Sequence, residues 1–189
     1  KSLREESGAV FLSYLIYSPL SEDRMDQHMK QVVLNLAYER TEGRLSAIGL
    51  TTALIEKFPL PVVEQRSQLF FIPLTLQLAN DDSKECREAI TTCFGKLLKR
   101  ISTEVLQSLF IYTERWSQGT DSALQRMSLH LFRIFVDEHP DFVRRAVTAR
   151  KLLDRVEAFI ADESGEWEVV YLAIVLADQR QEALKTQQM

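Results

Sequence analysis

One recurring unit constrains the fold of this chain more than any other feature: an apolar helix, a short polar turn and a second, amphipathic helix. Its clearest copy lies at residues 69–101, where an apolar segment that contains Pro73 is followed by Asn80-Asp81-Asp82-Ser83 and then by a helical pattern. Recurrence of such a unit at a fixed period is typical of repeat architectures. We therefore expect a stack of helix pairs, and we expect such a stack to hold other molecules rather than transform them.

The second helix of this copy, predicted at residues 83–101, has the most regular pattern in the chain. Apolar residues recur at intervals of three and four, which places them on one face of an α-helix. Asp82, followed three residues later by Glu85, is predicted to cap the first turn in a variant of the capping box. The apolar positions are Cys86, Ala89, Ile90, Cys93, Phe94, Leu97, Leu98 and Ile101.

The same pattern predicts a series of helix pairs along the chain. First helices are predicted near residues 25–38, 63–79, 103–117 and 141–161, and second helices near 42–58, 83–101, 120–138 and 166–181. Residues 3–17 are predicted to be the second helix of a preceding pair. The first helices begin about 39 residues apart, a period that belongs to the HEAT and armadillo class.

The predicted fold class is therefore all-α, an α-solenoid of HEAT-type helix pairs with about four pairs and a leading helix. A compact helical bundle is the alternative, and it explains the helical periodicity but not the regular spacing. The chain begins at Lys1 and ends inside a polar helical segment. We therefore expect residues 1–189 to be a single HEAT-repeat solenoid segment and a fragment of a much larger protein.

Two details favour HEAT-type pairs. Pro73 removes a main-chain donor inside a helix, which predicts a kink. Asp81 and Asp82 precede Arg87 by six and five residues, an order of acid and arginine that is suited to a ladder of ion pairs between adjacent repeats. Arg44 and Arg126 occupy the corresponding place in the neighbouring second helices. The alternative for each arginine is a solvated side chain.

The bulk composition excludes several classes of protein. Apolar residues make up 46% of the chain, enough for a continuous core, and the net charge of −4 gives no global attraction to nucleic acid. The longest apolar run, residues 169–177, is too short to span a membrane, which needs about 20 residues.

Cys86 and Cys93 lie seven residues apart, about 10 Å along a helix, beyond the reach of a disulfide. We expect both to be reduced core residues.

No catalytic constellation is present in the sequence. His28, His130 and His139 lie far apart, and no pair of them has the spacing of a helical metal site. There is no glycine-rich phosphate loop and no G-x-S-x-G motif. We therefore expect no catalytic residue, no cofactor and no metal site, and we expect His130 to be a partly buried core residue.

One basic cluster is a candidate contact for a partner. On a helix, Arg144, Lys151 and Arg155 fall within about 40° of one another, and apolar residues lie broadly opposite. The functional interpretation is contact with an RNA backbone or an acidic partner. The alternative is a solvated face balanced by Asp154 and Glu157. The full cluster is Arg144, Arg145, Arg150, Lys151 and Arg155.

Residues 34–117 resemble the down-regulated-in-metastasis (DRIM) family of very large HEAT-repeat proteins. The segments that carry the resemblance are Leu36-Ala37-Tyr38-Glu39, Glu42-Gly43-Arg44-Leu45-Ser46, Phe70-Phe71-Ile72-Pro73-Leu74, Asn80-Asp81-Asp82-Ser83, Cys86 and Leu97-Leu98-Lys99-Arg100-Ile101-Ser102. The resemblance implies a non-catalytic scaffold of the nucleolar small-subunit processome, which makes the small ribosomal subunit. The implied partners are pre-ribosomal RNA, small nucleolar RNP and ribosome-assembly proteins, without a membrane or a small-molecule substrate.

Two other functions fit a helical-repeat chain. A HEAT-type adaptor or nuclear transport receptor would bind protein cargo, a small GTPase or Phe-Gly repeats. A helical-repeat enzyme that acts on damaged DNA bases would need a strongly basic concave surface and a carboxylate above it. The net charge of −4 argues against the enzyme.

Overall fold

The computed structural model describes residues 3–144 together with Asp154 and Glu157, and every regular element in these residues is helical. The described fold is therefore all-α, as the sequence predicts. In chain order the helices are α1 (Leu3–Tyr17), α2 (Glu22–Leu34), α3 (Thr41–Lys57), α4 (Leu60–Gln65), α5 (Ser67–Asn80), α6 (Lys84–Arg100), α7 (Thr103–Ser117), α8 (Ser122–Glu138) and α9 (Pro140–Arg144), with a 3-10 turn, Asn35–Ala37, after α2.

The chain divides into two compact units, with the boundary between Val105 and Leu106 near the start of α7. In the first unit, α1 packs on α3, α3 packs on α6, and α2 packs on α5. The second helices of successive pairs therefore form one layer and the first helices form the other. This arrangement is the stacking of a helical-repeat solenoid, with α1 in the layer of second helices; its membership of a preceding pair stays a prediction.

The predicted helices match the described ones to within a few residues, with one internal difference. The first helix of the second pair is two helices, α4 and α5, separated at Arg66. Pro61 lies in the first turn of α4, where a proline removes only an amide that has no helical partner. Helix α5 continues through Pro73, so the break in this pair lies at Arg66. The helix predicted at residues 166–181 and most of the one predicted at 141–161 lie outside the described residues, and the start of the latter is described, as α9.

Helix α6 is the centre of the first unit because it packs against both α3 and α5. Its predicted apolar face is buried: Ile90, Cys93 and Phe94 are fully enclosed. The ring of Phe94 meets that of Phe71 on α5 edge to face, with 5.4 Å between the centroids and 76° between the planes. Such aromatic pairs prefer this geometry and add to the free energy gained by burial.

The N-terminal cap of α6 differs from the sequence prediction. Ser83, not Asp82, caps the helix, and its hydroxyl accepts a hydrogen bond from the main-chain N–H of Cys86 at 3.3 Å. Asp82 was the wrong choice because its carboxylate is engaged by Arg44 of the preceding pair. The side chain of Asp81 supports the turn by accepting a hydrogen bond from the N–H of Ser83 at 2.9 Å.

The second unit has an aromatic core. The ring of Phe110 on α7 lies 5.4 Å from that of Phe132, 5.3 Å from that of Phe135 and 5.6 Å from that of Phe142. Helices α7, α8 and α9 each contribute to this cluster. The side chain of Asp121 caps α8 by accepting hydrogen bonds from the N–H groups of Ala123 and Leu124.

We expect Phe94→Ala to lower the free energy of unfolding by about 3–5 kcal/mol, because it leaves a cavity where α6 packs on its neighbours. Urea unfolding followed by circular dichroism measures this change. Thr92→Ala, at an exposed position on the same helix, is the control and should change the free energy by less than about 0.5 kcal/mol. An equal decrease of the free energy of unfolding in the two variants would contradict the conclusion that the buried face of α6 holds the first unit together.

Candidate functional site

The most highly connected polar group of the first unit is the guanidinium of Arg44. Arg44 lies in the first turn of α3, and its side chain is only 10% exposed. Asp81 and Asp82 follow α5 in the next helix pair. Because α3 and α6 pack together, the turn before α6 lies beside the start of α3. The stacking of the pairs therefore brings the two carboxylates to this arginine.

Arg44 binds Asp81 through two hydrogen bonds. Its Nε lies 2.8 Å from Asp81 Oδ2, and its Nη2 lies 2.9 Å from Asp81 Oδ1. Its Nη2 also lies 2.6 Å from Asp82 Oδ1. Such bidentate pairs are strong and directional, since the planar guanidinium matches the carboxylate. The hydrogen bond to Asp81 is the main cause that raises the pKa of Arg44 above its ordinary value.

The remaining donors of Arg44 hold the turn within its own pair. Nη1 donates to the carbonyl oxygens of Tyr38 at 3.3 Å and Glu39 at 3.1 Å, and Nη2 also lies 3.4 Å from Thr41 Oγ1. The side chain thus joins the turn of one helix pair to the turn of the next. Arg87 makes a different contact, donating from Nη1 to the carbonyl oxygen of Asp81 at 2.6 Å.

A second arginine joins the first helices of the same two pairs. Arg66 occupies the break between α4 and α5, and its side chain is only 6% exposed. Its Nε donates to Asp26 Oδ1 on α2 at 2.6 Å, and its Nη2 lies 3.7 Å from Glu22 Oε2. Gln65 Nε2 donates to the same Glu22 oxygen at 3.1 Å. The break in the helix therefore carries a polar link between the pairs.

A third set of contacts lies at the other ends of the helices. Arg100 donates to the carbonyl oxygens of Ile55 and Phe58 at the end of α3. The last carbonyls of a helix have no partner within the helix, so the arginine satisfies them. Lys96 pairs with Glu56 at 2.6 Å. Glu64 Oε1 accepts a hydrogen bond from the N–H of Ser102 at 2.6 Å.

All three sets join residues that lie one repeat apart. The separations run from 37 residues for Arg44 and Asp81 to 45 for Arg100 and Ile55. Each contact lies at the end of a helix and fixes one pair on the next. The charges at Arg44 and Arg66 are consumed by contacts within the chain, so these clusters stabilise the stack and offer no open position to a substrate. Sequence analysis identified the Arg44 set but missed Arg66, Lys96 and Arg100.

Of the predicted ladder residues, the structure brings Arg44, Asp81 and Asp82 together, with Arg87 at the main chain of the same turn. Arg126 lies on α8 in the second unit, where it is half-buried. Its part in a ladder stays a prediction.

The predicted basic cluster lies at the edge of the described residues. Arg144 is the last residue given for α9. The remaining members, Arg145, Arg150, Lys151 and Arg155, lie outside the described residues, and contact with RNA or a partner stays a prediction for all five.

One histidine prediction was wrong. His130 is exposed on α8, not partly buried, because the buried face of this helix is formed by its neighbours Leu129, Leu131 and Phe132. Trp116, near the end of α7, is half-buried and lies beside Tyr112, with 6.3 Å between the ring centroids.

A metal site and a membrane-spanning helix are both absent from the described part of the chain. Residues 3–144 contain no cluster of three His, Cys, Asp or Glu side chains that could hold a metal ion. Across the same residues, no helix has the length and the apolar character needed to cross a bilayer.

Both cysteines are free and buried, as predicted. Burial raises the pKa of the Cys93 thiol from 9.0 to about 11, since an enclosed thiolate would lose its hydration. The hydroxyl of Thr52 and the charge of Lys96 oppose this change. At neutral pH Cys93 is therefore a protonated core residue rather than a nucleophile.

Two curated proteins are similar to this chain over most of its length. The U3 small nucleolar RNA-associated protein 20 of Saccharomyces cerevisiae is 24% identical over 179 residues, which cover 92% of this chain and 7% of that protein. The Schizosaccharomyces pombe protein of the same name is 24% identical over 198 aligned residues, which cover 98% of this chain and 8% of that protein. The chain thus spans less than a tenth of the length of these relatives.

The other comparisons add no argument about function. No family model matches the chain. One solved structure, of an engineered protein from a structural genomics consortium, aligns with a TM-score of 0.42 and 11% identity over 80% of this chain and 62% of that one.

We expect Asp81→Ala to lower the melting temperature of the chain by roughly 6–12 °C, because it leaves the buried Arg44 without its bidentate partner. Differential scanning calorimetry measures the change. The matched control is Asp82→Ala, because the side chain of Asp82 is 89% exposed. This variant should lower the melting temperature by about 3 °C or less. A larger fall of the melting temperature in Asp82→Ala than in Asp81→Ala would contradict the conclusion that Asp81 is the more important partner of Arg44.

The raised pKa of Cys93 predicts a loss of stability at high pH. The folded state favours the protonated thiol, so its contribution is complete below about pH 9 and is lost as the pH rises towards about 11. Over this range the free energy of unfolding should fall faster in the natural chain than in Cys93→Ala, by at most about 1.4 kcal/mol per pH unit. Parallel pH profiles for the two proteins would contradict the prediction.

Proposed function

We propose that this chain is a helical-repeat segment of a non-catalytic scaffold that acts in nucleolar biogenesis of the small ribosomal subunit. The observation that carries the proposal is the similarity, over nearly the whole chain, to two proteins named for their association with U3 small nucleolar RNA. The segment would work in the nucleolus, beside pre-ribosomal RNA and the proteins that assemble on it.

The resemblance to the DRIM family supports the same process. It rests on particular segments, such as Phe70-Phe71-Ile72-Pro73-Leu74 and the turn Asn80-Asp81-Asp82-Ser83. In the structure this turn holds the carboxylates that bind Arg44. Several of the residues that carry the resemblance thus join adjacent repeats.

The arrangement of charge in the first unit suits a scaffold. Arg44, Arg66 and Arg100 use their guanidinium groups in contacts between helix pairs. These contacts hold the pairs in one register, and a stack with a fixed register can present surfaces to several partners at once. A rigid segment of this kind supports assembly without chemistry of its own.

We assign direct contact with RNA to the basic cluster at residues 144–155. Arginine and lysine on one face of a helix can bind successive phosphates, and such contacts fix position without reading sequence.

The experiment is to tag the full-length protein in its own cells, purify it gently and sequence the RNA that accompanies it. The expected result is strong enrichment of small-subunit precursor rRNA together with U3 small nucleolar RNA. Recovery of a small GTPase or cargo protein without precursor rRNA would overturn the proposal and favour the transport-receptor alternative.

Charge reversal then tests the basic cluster within the full-length protein. Arg144→Glu, Lys151→Glu and Arg155→Glu together should reduce ultraviolet cross-linking of this segment to RNA several-fold, since each removes a phosphate contact. The matched control reverses three exposed cations elsewhere: Arg24, Lys30 and Arg40. Equal cross-linking in the two variants would contradict the assignment of the cluster.

A further inference from the structure

A groove of about 550 Å³ runs along the surface of the first unit between α1 and α3. One wall is the middle of α1 and the other is a face of α3. The residues that line it are Gly8, Ala9 and Leu12 on α1, and Glu42, Leu45, Ser46, Gly49, Leu50, Ala53 and Lys57 on α3. Five of these ten residues are Gly, Ala or Ser, so the main chains of both helices are open to close approach at those positions, and three leucines add apolar surface beside them.

Two glycines in this groove have no explanation within the described chain. Gly8 and Gly49 are both helical, and a Cβ added at either would meet no atom within 4 Å. Glycine destabilises a helix relative to alanine. Gly43 on the same helix differs, because the ring of Tyr38 packs directly against it. The ring of Tyr38 leaves no room for a side chain at Gly43. A molecule from outside that packed closely against Gly49 would explain the glycine there in the same way.

The charges in the groove are arranged in a self-complementary way. Glu42 and Lys57 are exposed near opposite ends of α3, and neither is in an ion pair within residues 3–144. The midpoint between them falls at Gly49 and Leu50. A two-fold axis through that point would set Glu42 of each copy beside Lys57 of the other, and Ser46 beside Ala53. Isologous interfaces require this kind of self-complementarity.

We propose that this groove is a self-association site in which a second copy of the chain packs its α3 antiparallel against α3, with the two-fold axis between Gly49 and Leu50. The small side chains allow the two helices to approach closely, and two Glu42–Lys57 pairs fix the antiparallel direction. An RNA backbone is a poor occupant, because the described residues that line the groove include one acidic and one basic side chain and give no net positive charge. Self-association depends only on the fold, so it stands apart from the proposed function.

Sedimentation velocity of the 189-residue chain tests the proposal. Between about 1 µM and 500 µM, the weight-average mass should rise from that of one chain, 21.8 kDa, towards twice that value. A mass that stays at one chain across this range would overturn the proposal and leave the groove to a different helix.

Charge-swap variants test the direction of packing. Glu42→Lys and Lys57→Glu should each weaken dimerisation roughly tenfold, since each turns two attractive pairs into two repulsive ones. The double variant should return to within about threefold of the natural chain, because both pairs are restored with reversed sign. A double variant as weak as the single ones would overturn the antiparallel arrangement.

Gly49→Leu tests the close approach at the axis. The added side chain has open space within the chain, so the melting temperature should stay the same or rise, whereas dimerisation should be lost. Gln68→Leu, which places the same side chain at an exposed position of α5 outside the groove, should leave dimerisation unchanged. Normal dimerisation of Gly49→Leu would overturn the proposal.

Discussion

The buried ion pair between Arg44 and Asp81 links the local turns to the stack of helix pairs. Neither side chain can be enclosed without the other, since an unpaired charge in this position would lose its hydration without compensation. Arg44 lies in the first turn of one second helix, and Asp81 lies in the turn that precedes the next. The pair is satisfied only when adjacent repeats stand in one register, so it selects that register among the possible ways of packing similar helices.

Apolar packing supplies the driving force, and the polar contacts at the helix ends supply the alignment. The face of α6 that contains Ile90, Cys93 and Phe94 is buried against α3 and α5. Burial of this kind is non-directional, and neighbouring helices could slide along one another by a turn at modest cost. Arg44, Arg66 and Arg100 prevent such sliding because each binds named atoms one repeat away. A scaffold that must present its surfaces at fixed spacing needs both contributions.

How far the sequence predicts this structure can be judged from α6 and its turn. The helix was predictable because its apolar residues recur with helical spacing, and its bounds differ by a single residue at each end. The residue that caps the helix could not be predicted, because Asp82 and Ser83 are both good capping residues. Only the nearby guanidinium of Arg44, which is distant in sequence, determines which of them is free to cap. The break at Arg66 was missed for the same reason, since its partner Asp26 lies 40 residues away.

The sequence by itself determined the all-α class, the pairing of helices, the leading helix and the period, because these follow from the spacing of apolar residues and turns along the chain. Tertiary structure decided which polar side chains are enclosed and which face solvent, as at Arg44 and His130. It also decided which helical glycine is covered and which is open, as at Gly43 and Gly49. The physical reason is that helical periodicity is a local property, whereas burial and ion pairing depend on groups that only the stacking of repeats brings together.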